Sequence, residues 1–156
     1  MKKIKLTQNK VALVDDADYE YLSQWKWTYS NVGAAGYATR SQPHLNKDGK
    51  IVRKTIYMHS EIVEKKISTN VVDHKNGKTL DNRRENLREA TQAQNLWNRK
   101  AKGVYQTRNK KWIAMIQANC KPIRLGTFKT KSEALVARRL AEKLLFGEFA
   151  PNRKSA

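Results

Sequence analysis

Val71-Val72-Asp73-His74-Lys75-Asn76-Gly77-Lys78-Thr79-Leu80-Asp81-Asn82-Arg83-Arg84-Glu85-Asn86-Leu87-Arg88-Glu89-Ala90-Thr91-Gln92-Ala93-Gln94-Asn95-Leu96-Trp97-Asn98-Arg99-Lys100 is the stretch on which the reading of this chain turns. Its apolar start predicts a strand that ends on two polar side chains, Asp73 and His74. Asn76-Gly77 favours a tight primed turn, and residues 81–86 read as a polar loop. Thr91-x-x-Gln94 has the form of a capping box, which places a helix start at Thr91 and Asn95 in its first turns. The predicted local order is strand, loop, short strand, helix.

Upstream, Ile4 to Leu6 and Val11 to Val14 read as a strand pair. Asp15, Asp16 and Asp18 open a short helix through Leu22, with acids at its positive end. The cluster lacks the glycine and closing glutamate of a calcium loop, so helix capping is the better reading than a metal site. Residues 25–29 and 37–40 predict two strands around a Gly33/Gly36 turn, and residues 46–50 a hairpin tip before a strand from Ile51 to Met58. The Trp and Tyr residues here suit a small core better than base stacking.

Downstream of residue 100 the character changes. Val104 to Thr107, Lys111 to Gln117 and Ile123 to Phe128 predict three short strands, with a link over Ala118 to Pro122. Thr130-x-x-Glu133 is a second capping box, opening a helix that runs to Phe146 and stops at Gly147. Ala134, Ala137, Leu140, Ala141, Leu144 and Leu145 make one apolar stripe along it, with Arg138, Arg139, Glu142 and Lys143 mostly off it.

The bulk charge bounds the partner. The 156 residues carry a formal net charge of +18, and residues 101–156 alone hold 13 Lys/Arg against 3 Asp/Glu. Such a chain binds polyanions by counterion release. No stretch approaches the roughly 20 apolar residues of a membrane span, so nucleic acid is the expected partner and a membrane is not. Cys120 is the single cysteine, which excludes an internal disulfide and a thiolate zinc knuckle. The N-terminus has a basic start but no apolar core after it, so the expected location is the cytoplasm (the host cytoplasm for a phage-borne gene).

The side chains of the opening stretch suit phosphodiester hydrolysis. That reaction needs a proton acceptor near neutral pH, which a histidine supplies, and a cation against the developing negative charge. Mg²⁺ takes oxygen ligands and keeps several waters, so one carboxylate and one amide oxygen suffice. Asp73 and Asn95 fit the ligand role, His74 fits the base, and Asn86 fits a residue that fixes the imidazole through its side chain or backbone. Neighbouring strand residues point to opposite faces, which suits a division of labour between Asp73 and His74. His59 reads either as a phosphate or leaving-group contact or as a structural histidine at a strand end. Arg83, Arg84 and Arg88 read as candidates for gripping the phosphate backbone.

These residues resemble the HNH nuclease family, in the branch of phage and intron-encoded homing endonucleases, whose letters are often His-Asn-Asn. The resemblance covers roughly residues 50–100: Tyr-Met-His59, Asp73-His74 followed by Asn-Gly, Asp-Asn-Arg-x-Glu-Asn86-Leu, and Thr-x-x-x-Asn95-x-x-Asn-Arg-Lys. It implies a ββα-metal site with Asp73 and Asn95 as ligands of Mg²⁺ (Mn²⁺ as the alternative), His74 as general base, Asn86 as the orienting residue, and products ending in 5′-phosphate and 3′-hydroxyl. The N-terminal Leu-Thr-Gln-x-Lys-Val-Ala-Leu-Val-Asp-Asp also resembles the lead-in of these phage proteins.

The C-terminal part, with Gly103-Val104-Tyr105, Lys111-Trp112-Ile113-Ala114, Leu125-Gly126-Thr127-Phe128 and the helix after them, resembles the Apetala-type (ethylene-response-factor) DNA-binding domain. That domain lays a three-stranded sheet in the major groove. Strand alternation independently puts Trp112, Ala114 and Ile116 toward the helix. Lys111, Ile113, Met115 and Gln117 lie on the other face, where Tyr105, Thr107 and Arg124 join them. With Arg108 and Lys110 in the turn, this face suits phosphate and base-edge contacts. Several base-reading Arg and Trp positions of the plant pattern are here Tyr105, Thr107, Asn109 and Gln117, so no target sequence carries over.

The expected chain is α+β: a ββα-metal nuclease domain over residues 1–100, with its motif core at 56–100, then a three-stranded antiparallel sheet plus one helix over 101–152. The expected activity is metal-dependent endonucleolysis of double-stranded DNA by a monomer that nicks. The rivals are a non-catalytic sequence-specific DNA-binding protein and an RNA-binding protein, since basic patches with aromatics also suit single strands.

Overall fold

In the computed structural model residues 1–32, 35–63, 69–99, 103–118 and 121–151 are described. Gly33 of the expected turn, Cys120 in the expected 118–122 link, and the expected domain limits at 100/101 and 152 lie outside them. The chain divides into two compact units, Met1–Thr91 and Gln92–Ala156, and its architecture is mixed α/β with small antiparallel sheets and few helices. Among the described residues no helix is long and apolar enough to cross a membrane.

The first unit begins with β1 (Lys2–Lys5) and β2 (Val11–Val14), paired antiparallel with Lys2 opposite Val14. Their alternation buries Ile4, Leu6, Ala12 and Val14 while the lysines stay in water. Helix α1 (Asp16–Ser23) follows, N-capped at Asp15 without a side-chain cap bond. The acids there serve another segment: Asp15 Oδ2 accepts the Arg84 backbone N–H at 2.8 Å, and Asp18 receives the Arg84 guanidinium at 2.6 and 2.8 Å.

Three strands, β3 (Thr28–Val32), β4 (Ala35–Leu45) and β5 (Ile51–Tyr57), form an antiparallel meander. β3 starts later than residues 25–29 predict because Trp27 is claimed by the core. Its indole N–H donates to Leu22 O at 2.8 Å and the ring is 1 % exposed. Helix α2 (Met58–Ile62) then adds Met58 and Ile62 to a core that also holds Leu22, Ala38 and Leu87. The unit closes with β6 (Val71–His74) and β7 (Leu87–Ala90), paired with Asp73 opposite Arg88 and His74 opposite Leu87.

The Asn76-Gly77 turn is not the primed hairpin that its sequence favours. Only Gly77 has positive φ (70°), and its N–H bonds back to His74 O at 2.8 Å. The reason is that the partner of β6 is not the next segment but β7, across a long loop. Asn76 is instead tied into that loop by its side chain.

The second unit starts with α3 (Gln92–Trp97). β8 (Val104–Gln106), β9 (Trp112–Ala118) and β10 (Lys121–Phe128) form an antiparallel sheet with β9 central. Helix α4 (Lys131–Phe146) opens with the reciprocal Thr130/Glu133 capping box that the sequence predicts. Ala114 and Ile116 of β9 are buried, as the alternation predicts, and the Trp97 ring stacks on Phe146 with centroids 5.1 Å apart.

The apolar stripe of α4 is buried only in part. The helix's buried positions are Ala134, Arg138, Glu142 and Phe146, while Leu140 and Leu144 of the apolar stripe are 58 % and 84 % exposed. The helix is rolled so that Arg138 Nε meets Glu142 Oε1 at 2.9 Å and the guanidinium reaches the Met115 carbonyl. Desolvating a lone arginine there would be prohibitive, and the carboxylate one turn on offsets it. This orientation is testable by chemical denaturation of the full chain. Glu142→Ala leaves the Arg138 charge buried and is expected to cost about 3–5 kcal/mol. Leu144→Lys is expected to change stability by under about 0.5 kcal/mol; the reverse order would mean that the leucines face inward.

Candidate active site

The site of the first unit is built on the end of β6 and the loop that follows. Asp73 and His74 are both buried, at 3 % and 5 % exposure. Because they are consecutive strand residues they meet different partners. Asp73 faces its cross-strand neighbour: Arg88 Nε and Nη2 both converge on Asp73 Oδ2, at 2.8 and 2.7 Å. Arg88, a candidate for the phosphate backbone, is therefore engaged on the expected metal ligand.

His74 enters a small aromatic cluster. Its ring lies edge-on to His59, with centroids 5.2 Å apart, and 6.3 Å from Tyr37. His59 in turn stacks on Tyr57 at 5.3 Å. The Nε2 atom of His74 lies 3.1 Å from Asn82 Oδ1. Burial pushes the imidazole below its ordinary value of 6.5, against the opposing pull of the Asn82 hydrogen bond and of the Asp73 and Asp81 charges. Burial thus favours the neutral imidazole, the state in which it can accept a proton.

The loop is held by a carboxylate and two amides. Asp81 accepts from Arg83 Nε and Nη2, both at 2.8 Å, and from Asn76 Nδ2 at 2.9 Å. Asn86 Oδ1 accepts the Asn76 backbone N–H at 3.0 Å, and its Nδ2 donates to Asp81 O at 2.7 Å. Its carbonyl takes the Lys75 N–H at 2.9 Å. Asn86 thus fastens the backbone just after His74, while the side-chain bond to the imidazole is made by Asn82. The whole loop is docked on β2 through Leu13 N to Leu80 O and Asn82 N to Leu13 O, both 2.8 Å.

The remaining expected residues are spread over both units. Arg83 pairs with Asp81 and Glu85, and Arg84 with Asp18. Asn95 is half-buried on α3. In the sheet of the second unit Tyr105 stands opposite Ile113 and Arg124 opposite Met115, so they share the face predicted for them. Tyr105, Arg108, Lys110, Lys111, Gln117 and Arg124 are exposed, and Thr107 bonds the Lys111 backbone across the turn. Among the described residues no three His, Cys, Asp or Glu side chains converge as a metal cage. A carboxylate-plus-amide donor set of the kind that leaves most positions to water needs no such cage.

The HNH endonuclease family matches residues 66–96, a minor part of the chain that nonetheless holds Asp73, His74, Asn82, Asn86 and Asn95. That match points to a nuclease. No curated protein and no solved structure is significantly similar to the chain.

The Asp81 anchor has a measurable pH signature. Its carboxyl is held below the ordinary 3.8, first by the Arg83 hydrogen bond and then by that from Asn76. A folded value below the unfolded one gives stability that is fully present above the unfolded pKa and lost as pH falls through the folded pKa. Asp81→Asn is expected to cost about 1–3 kcal/mol at neutral pH. In denaturant melts that gap should narrow as pH falls below about 4; a gap that stays constant with pH would refute the anchor.

Proposed function

We propose that the chain is a metal-dependent DNA endonuclease of the HNH homing type. It hydrolyses one phosphodiester of double-stranded DNA per visit, leaving 5′-phosphate and 3′-hydroxyl ends. The observation that carries this reading is His74, buried beside the equally buried Asp73 carboxylate, inside the segment that matches the HNH endonuclease family.

In this proposal His74 takes the proton of the attacking water, and Asn86 keeps the backbone after it from moving. Asp73 is one oxygen ligand for Mg²⁺ (or Mn²⁺), and the resemblance alone adds Asn95 and the ββα-metal arrangement. A divalent ion held there supplies positive charge to the phosphate and to the leaving oxygen. Arg88, paired with Asp73 Oδ2, would hold the carboxylate in place for the cation. His59, in ring contact with His74, is placed in the proposal at the phosphate or leaving group.

The nuclease domain is assigned to residues 1–100 and a DNA-holding, Apetala-type domain to 101–152. The sheet face with Tyr105, Thr107, Lys111, Gln117 and Arg124 and the Arg108/Lys110 turn meet the duplex, with Arg83 and Arg84 as further backbone contacts once their ion pairs exchange. A monomer with one such site nicks rather than breaks the duplex, in the cytoplasm of a host if the gene is phage- or intron-borne.

The test is conversion of supercoiled plasmid carrying candidate target DNA, with Mg²⁺, Mn²⁺ or EDTA. Open-circle product is expected with either metal and none with EDTA. His74→Ala is expected to slow cutting by about 10²–10⁴-fold with duplex binding unchanged. Tight duplex binding without cutting in either metal would favour the non-catalytic binder.

A further inference from the structure

We infer that Asn82 is the positioning residue that sets the tautomer of His74, holding the proton on Nε2 and the basic lone pair on Nδ1. The inference rests on the nuclease reading only for its consequence in catalysis; its geometry stands apart from it.

Asn82 is fully buried at 0 % exposure. Two atoms meet the ends of its amide: His74 Nε2 at 3.1 Å from Oδ1, and Met58 Sδ at 3.5 Å from Nδ2. The sulfur decides the orientation. A thioether has no proton and only accepts, weakly, so the amide nitrogen belongs on that side. Turning the amide over would set the carbonyl oxygen against the sulfur lone pairs in a buried site, at the cost of an unsatisfied acceptor. With the oxygen toward the imidazole, Nε2 must donate. A neutral imidazole carries one proton, so Nδ1 is the unprotonated, basic nitrogen.

The backbone makes this rigid. Asn82 N donates to Leu13 O at 2.8 Å, and Asp81 bridges Leu13 just before it. The amide therefore approaches the imidazole from a loop residue whose backbone is fixed to β2, out of contact with solvent. When His74 takes a proton at Nδ1, the Nε2–H bond to Asn82 is kept, so the step needs no rearrangement on that side.

The test uses the full chain with ¹⁵N-labelled histidine. The protein has three histidines, and the His74 signals are assigned by their loss in His74→Ala. At mildly alkaline pH, where an imidazole is neutral, His74 is expected to show a protonated Nε2 and an unprotonated Nδ1. Asn82→Asp, which keeps the acceptor, should preserve that pattern. Asn82→Leu should shift protons toward Nδ1, with cleavage falling on the order of 10²-fold while duplex affinity holds. An Nδ1-protonated His74 in the unaltered chain overturns the inference, as does an Asn82→Leu spectrum identical to it. Should Asn82→Leu fail to fold, the unaltered chain and Asn82→Asp still decide. If the unaltered chain shows the predicted tautomer but cuts no DNA, the nuclease reading fails and the assignment of Asn82 stands.

Discussion

The carboxylate of Asp81 is the fixed point of the first unit. It gathers Arg83 and Asn76, stands on a bridge to Leu13 of β2, and lies beside the carbonyl that Asn86 Nδ2 holds. Without it the segment between β6 and β7 is a polar loop with no core of its own. With it, Asn82 is delivered to one side of the imidazole and Asn86 to the backbone just beyond. The placement of His74 thus depends on buried polar groups that satisfy one another, a type of network that is rigid when complete and costly when broken.

A second constraint runs through the whole chain. With +18 net charge, acids are scarce, and self-repulsion works against compaction. Asp15, Asp18, Glu61, Asp73, Asp81, Glu85 and Glu142 each bind an arginine, through its side chain or its backbone N–H. Among the described residues no lysine joins an ion pair. The planar guanidinium suits close, partly buried pairing, and the strongly hydrated ammonium does not. The arginines named here secure the fold, and the lysines keep their charge at the surface.

Much of this was legible in the sequence where the signal is local. The Thr130/Glu133 box, the β6 strand ending on Asp73-His74 and the alternation of β9 follow from spacing alone. What was not legible depends on register or on distant partners. Arg88 looks like a free cation until β7 is laid against β6, and only then does it fall opposite Asp73. Asn82 carries no local cue at all, since its partners His74 and Met58 come from other elements. The stripe on α4 is buried only in part because a count of leucines ignores what a buried Arg138 gains from Glu142 and a strand carbonyl. In the Asn76-Gly77 turn, tertiary bonds outweighed the intrinsic preference of the dipeptide.

The central claim is that Asp73 is a cation ligand and His74 beside it is not. Binding of Mn²⁺ to the full chain, followed by electron paramagnetic resonance without DNA, tests that directly. The account predicts one bound ion in the unaltered protein, its loss in Asp73→Ala, and its retention in His74→Ala. Equal Mn²⁺ binding by the unaltered chain and Asp73→Ala would contradict it.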